Sequence, residues 1–141
     1  CSVNSFHLNG DQKGGEYSSF TYRPFTLEGN FAFAQGVHEL LLQSKDHYIE
    51  VFPAVPQSWK DVSFNSLRAE GAFLISAKKE NAVPTQVKVF AEKGGVLRIR
   101  LPFKTWVANN KPQQKIKVTG NNILEVQMLK GQTILFENGY E

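Results

Sequence analysis

Gln86-Val87-Lys88-Val89-Phe90-Ala91, then Glu92-Lys93-Gly94-Gly95, then Val96-Leu97-Arg98-Ile99-Arg100-Leu101 is the stretch that carries the fold class. Val87 and Val89 fall opposite Lys88 and Phe90, a period of two that matches the pleat of a strand and not the turn of a helix. Lys93-Gly94-Gly95 is a hairpin signal between this run and the next, Val96 to Leu101. Working outward, Phe73, Ile75 and Ala77 alternate with Leu74, Ser76 and Lys78, and Asn81 and Pro84 mark the turn that follows. Phe64 to Arg68 is a short strand. Tyr48 to Phe52 is another, stopped by Pro53 and Pro56, which deny ladder donors and force an extended path. Toward the C-terminus Lys115 to Thr119, Ile123 to Leu129 and Thr133 to Glu137 repeat the pattern, separated by Gly120-Asn121-Asn122 and Lys130-Gly131-Gln132. In Lys115-Ile116-Lys117-Val118-Thr119 the alternation predicts one wet face and one buried face. Short strands on tight turns, with no helix between them, predict a mainly β fold: antiparallel sheets packed face to face as a β-sandwich. No fixed-period repeat supports a propeller or solenoid.

Before Tyr48 the period is different. Phe33, Val37, Leu40, Leu41 and Ser44 lie on one face of a helix, predicted from Phe31 to Ser44, with Gly29 or Asn30 as its cap. Gly36 within it costs roughly 1 kcal/mol against Ala, which suggests close packing against another element. Cys1 to Tyr22, with Asn9-Gly10-Asp11 and Lys13-Gly14-Gly15-Glu16, shows neither period and reads as loop. Asp46-His47 is the expected junction, dividing the chain into residues 1–46, loop and helix, and residues 47–141, the sandwich.

A chain of 141 residues has room for one domain with a real core, and 41% hydrophobic against 21% charged residues is a globular balance. The apolar runs are too short for a membrane span. The net charge of +3 is scattered, with Lys78-Lys79 the one adjacent pair, so no basic stripe points to nucleic acid. The lone cysteine, Cys1, excludes an intrachain disulfide and any site built on several thiolates. As a first residue it also fits an acylated lipoprotein terminus, although Ser2 to Asp11 reads less like a surface tether than like internal sequence.

His7, His38 and His47 have no metal-like spacing. Ser44, Asp46 and His47 are triad residue types, but neighbours in sequence seldom form a triad, and no Gly-x-Ser-x-Gly elbow is present. Gly14-Gly15 and Gly94-Gly95 lack the strand-loop-helix setting of a phosphate loop. Trp59 and Trp106 are candidates for stacking on sugar faces, with core packing the ordinary role of such rings.

Arg23-Pro24-Phe25-Thr26-Leu27-Glu28-Gly29-Asn30-Phe31, leading into Val37-His38-Glu39-Leu40-Leu41-Leu42-Gln43-Ser44, resembles the last segment of the catalytic barrel in glycoside hydrolase family 95, the inverting α-L-fucosidases. The family carries an (Ile/Leu)-Asp-Gly/Ala-Asn-Phe-Gly element followed by Glu-Met-Leu-(Leu/Val)-Gln-Ser. The resemblance continues through Tyr48-Ile49-Glu50-Val51-Phe52-Pro53-Ala54-Val55-Pro56, Trp59-Lys60 and Leu67-Arg68-Ala69-Glu70-Gly71-Ala72-Phe73. It implies the closing helix of an (α/α)6 barrel followed by a C-terminal β-domain, a glycan substrate bound through a parent enzyme, no cofactor, and export to the periplasm, cell surface or medium.

Inverting glycoside hydrolysis uses one carboxylic acid to protonate the leaving oxygen and one carboxylate to activate water on the opposite face of the sugar. In the resembled family the base is an Asp held with two Asn side chains, and a Glu elsewhere in the barrel is the acid. The alignment sets Glu28 in the place of that Asp, with Asn30 as a pocket residue, while the acid and the paired Asn residues would lie upstream of Cys1. Glu in place of Asp shifts the carboxylate by about 1.5 Å, a displacement that costs on the order of 100-fold in rate unless the pocket compensates. The structural alternative for Glu28 is a favourable charge near a helix start, and for Asn30 a helix cap. At the level of the whole chain the alternative is a non-catalytic sandwich that supports a barrel or binds carbohydrate. By this reading the chain alone is not an active enzyme.

Overall fold

Phe73, Ile75 and Ala77 are buried on alternate positions of one strand, and the same alternation recurs on its neighbours, so the pattern in the sequence becomes the inner face of a sheet. The computed structural model describes residues 27–109 and 115–139. The loop expected over Cys1 to Tyr22, with His7, lies outside them. One helix, α1 (Leu27–Leu41), precedes ten strands: β1 (Leu42–Lys45), β2 (Tyr48–Val51), β3 (Val62–Ala69), β4 (Phe73–Glu80), β5 (Val83–Ala91), β6 (Gly95–Arg100), β7 (Trp106–Asn109), β8 (Lys117–Thr119), β9 (Ile123–Met128) and β10 (Thr133–Asn138).

The strands form two five-stranded sheets, in the orders β1-β2-β6-β9-β8 and β3-β4-β5-β10-β7. Leu42, Ile49, Val51, Leu97, Ile99, Leu124, Val126 and Met128 of the first sheet join Phe73, Ile75, Val87, Val89, Ile134 and Phe136 of the second in one buried cluster, so the sheets face each other across a shared core. This is the expected β-sandwich. By its internal contacts the chain divides between His38 and Glu39, and the sandwich belongs to the unit from Glu39 onward.

Four expectations are corrected. The helix starts at Leu27, so Gly29 and Asn30 lie within its first turn and neither caps it. It also ends earlier, at Leu41, because Leu42 to Lys45 pair with Val51 to Tyr48 as a hairpin. Asp46 and His47, with φ of 52° and 67°, form its two-residue turn, a mirror-type geometry that matches strand twist. Within this unit the helix end is closed by the strand that follows, since Phe52 N–H donates to the Leu41 carbonyl at 2.8 Å. Third, Lys93-Gly94-Gly95 is not a hairpin: β5 lies in the second sheet and β6 in the first, so this segment crosses between sheets. Finally, the face predicted to be buried in Lys115 to Thr119 is only half so. Ile116 packs on the core, but Val118 is 61% exposed, because β8 is an edge strand covered on one side alone.

One pairing departs from the antiparallel rule. β2 runs parallel to β6, with Ile49 opposite Ile99 and Glu50 opposite Arg100. After β2 the chain passes through β3, β4 and β5 in the other sheet before returning, and this long excursion supplies the crossover that a parallel pair requires. It brings the C-terminal ends of β2 and β6 to the same end of the sandwich.

Candidate functional site

Glu28 and Asn30 are the second and fourth residues of α1, so both sequence-derived site residues fall in one helical turn. His38 belongs to the last turn of the same helix, and His47 to the hairpin turn of the sandwich. Ser44 has a local task outside any triad: its hydroxyl accepts the Glu70 backbone N–H at 3.1 Å. Among the described residues no group of three or more His, Cys, Asp and Glu side chains is placed to hold a metal ion.

The tryptophans have distinct environments. Trp106 stands edge-on to Phe136, with ring centroids 5.8 Å apart at 83°, and is half-buried against the core. Trp59 is 41% exposed in the turn region after Pro56, where its backbone N–H donates to the Pro56 carbonyl at 3.0 Å. Tyr48, the other ring placed toward the surface of the first sheet, is covered by Arg100, whose guanidinium lies 4.6 Å from its centroid.

Sequence reasoning missed a polar cluster at the end of the sandwich. Parallel register sets Glu50 beside Arg100, and their side chains pair at 3.2 Å, with the Tyr48 hydroxyl 3.5 Å from the second Glu50 oxygen. Across the interior, Lys79 continues the inward series Phe73, Ile75, Ala77 and is 92% buried, at 8% exposure. Lys79 lines a cleft of about 270 Å³ together with residues Glu50, Phe52, Pro53, Arg100 and Pro102. The signal in the sequence was present but ambiguous. Lys79 occupies an inward position of a strand, where an alternation rule predicts an apolar residue, and the parallel register that pairs Glu50 with Arg100 is not written in either segment.

A second, shallower trough of about 480 Å³ runs along the outer face of the second sheet beside Asn65, Ser76, Gln86 and Lys88. Its floor is hydrogen-bonded to itself: the Ser76 hydroxyl donates to Asn65 Oδ1 at 2.8 Å and accepts the Ser66 N–H at 3.0 Å. A left-handed Ser66, at φ 56°, interrupts the β3 register there.

The sequence matches a known family. The model of the glycoside hydrolase family 95 C-terminal domain matches residues 43–136, which is the sandwich from its first strand to its last. Alpha-L-fucosidase 2 of Arabidopsis thaliana is 41% identical over 69 residues, a stretch that makes up 47% of this chain and 8% of that relative. The chain thus corresponds to a small part of the relative's length. With the family model covering most of the chain and a sandwich beneath it, this protein belongs to glycoside hydrolase family 95 and carries the family's C-terminal domain.

Proposed function

We propose that this chain is the C-terminal part of an inverting glycoside hydrolase that acts on α-L-fucosyl, or closely related α-L-galactosyl, linkages in glycans. The observation that carries the reading is the family 95 C-terminal domain over residues 43–136 directly behind a helix that holds Glu28 in its first turn. In the parent enzyme Glu28 removes a proton from water as that water attacks the anomeric carbon, while a carboxylic acid from the upstream barrel protonates the departing oxygen. Two carboxyl groups roughly 6.5–9.5 Å apart leave room for the water, and attack from the face opposite the leaving group inverts the configuration. The proton Glu28 takes from water equals the one the acid gives to the leaving oxygen, and exchange with solvent restores both groups, so the reaction balances without a cofactor. Asn30 is assigned to the same pocket as a substrate-binding side chain. A periplasmic, cell-surface or secreted location is part of the same proposal, on the family resemblance.

The sandwich is assigned a supporting role, and sugar stacking is not assigned to Trp106 or Tyr48, because Trp106 is engaged with Phe136 and Tyr48 with Arg100. By this proposal the purified chain does not release fucose from an aryl α-L-fucoside, since a base without its acid and sugar-binding walls cannot stabilise the transition state. Turnover by the chain alone, abolished in Glu28→Gln, would overturn the need for an upstream acid. In the longer protein, proton NMR of the first product should show the β-anomer; initial appearance of the α-anomer would rule out inversion.

A further inference from the structure

We propose that the cleft at the end of the sandwich is a binding site for a small oxyanion, a carboxylate or sulfate, carried on a sugar-sized body, with Lys79 as its principal cation. The inference stands apart from the catalytic reading, because every residue in it belongs to the sandwich.

A lysine on an inward position of a sandwich strand is an expensive placement unless its charge has a destination. Its aliphatic stem can run along the core while the ammonium reaches a polar opening. Here the opening is the cleft, and no carboxylate among the described residues lies within ion-pair distance of Lys79. The other charged residues lining the same space are Glu50 and Arg100, and these pair with each other at 3.2 Å. With Glu50 taken by Arg100, Lys79 is left as the charged residue of this half-enclosed space without a carboxylate partner. Such a site is completed by an anion.

The rest of the cleft limits the size and character of that anion. A volume of about 270 Å³ lies at the small end of ligand pockets, which run from roughly 300 to 1,000 Å³, and suits a single sugar ring better than a chain of them. Phe52, Pro53 and Pro102 offer apolar walls on which the C–H face of a ring packs. Arg100 pairs with Glu50 and lies over the Tyr48 ring on the outward side of the first sheet, which leaves Lys79 as the cation of the cleft. A uronic acid or a sulfated monosaccharide has both required features, a compact body and a charged group at its edge.

The test is a titration of the purified chain, followed by amide NMR, with sodium glucuronate, glucose and inorganic sulfate at constant ionic strength. Glucuronate is expected to shift the amides of Lys79, Phe52 and Arg100, with glucose binding at least about tenfold more weakly, the weight of one charge-assisted hydrogen bond. Lys79→Met keeps the buried stem and removes the charge, and should weaken glucuronate binding by a similar factor without lowering the melting temperature. Lys79→Arg should retain binding. Equal binding of glucose and glucuronate, or no change in Lys79→Met, would overturn the oxyanion assignment. Inorganic sulfate binding as tightly as glucuronate would overturn the sugar-sized body. Because the first comparison uses the unaltered chain, it holds even if a variant fails to fold.

Discussion

Replacing Gly94 with Ala probes the place where the chain crosses between sheets. Gly94 has φ +79°, and a Cβ built on it would stand 2.8 Å from the Lys130 nitrogen and 3.0 Å from the Met128 oxygen. Both are backbone atoms, one at the end of β9 and one in the crossing from β9 to β10, so neither can move aside as a flexible side chain would. Gly131, on that second crossing, has nearly the same φ, +77°, but open space around its would-be Cβ. It is therefore an internal control. The left-handed backbone alone costs an L-residue roughly 1–2 kcal/mol. The clash at Gly94 adds about 1–3 kcal/mol, the usual range for overpacking. Gly131→Ala should thus lose about 1–2 kcal/mol, and Gly94→Ala about 2–5 kcal/mol. Thermal melting followed by circular dichroism should place Gly94→Ala at least about 4 °C below Gly131→Ala, with urea unfolding giving the same order. Equal losses in the two variants would mean that the crossings do not meet at Gly94 and would refute the reasoning.

Other perturbations read different layers of the structure. Phe136 is fully buried on the inner face of β10, and Phe136→Ala should cost about 3–5 kcal/mol and red-shift the fluorescence of Trp106, its edge-to-face neighbour; a loss below about 1 kcal/mol would place the ring outside the core. Arg98 and Glu125 face each other on β6 and β9 and pair at 2.8 Å on the surface, so a double-mutant cycle should give a coupling of only about 0.2–1 kcal/mol that fades with added salt. A coupling that salt leaves unchanged would show the pair to be screened from solvent.

The second sheet was the most readable part of this sequence. Phe73, Ile75 and Ala77 announce a buried face by alternation, and the structure buries all three. The end of the helix was not readable in the same way. Leu40, Leu41 and Ser44 fit the helical stripe, yet Leu42 to Lys45 is only four residues long, and over four residues the two periods cannot be told apart. What decides is the pairing of Leu42 with Val51 across Asp46-His47, a contact that no local window contains. The same holds for Lys93-Gly94-Gly95: glycines mark a change of direction, but whether the chain returns beside the same strand or crosses to the facing sheet depends on which strands are already paired. Trp106 to Asn109 escaped recognition as a strand because it is four residues long and its register is supplied by β10. Pro84 falls inside β5 where Lys78 and Lys79 change register, the irregular position at which a sheet tolerates proline.

The candidate site divides along similar lines. Glu28 and Asn30 emerged from a resemblance in sequence, and the fold adds that they share the first turn of a helix. Lys79, Glu50 and Arg100 emerged only from three dimensions, since a parallel register and an inward lysine bring together residues far apart in the chain.

The central functional proposal is that Glu28 activates water in the longer enzyme, and its most direct test is turnover of an aryl α-L-fucoside by that protein with Glu28, Glu28→Gln and Glu28→Asp. Glu28→Gln preserves size and removes basicity, so the chemical step should fall by at least about 100-fold while the melting temperature is retained. Glu28→Asp should also lower the rate if the pocket is built around the longer side chain, and raise it if Glu is a defect. Unchanged turnover in both variants would contradict the account and leave Glu28 as a charge at the start of a helix.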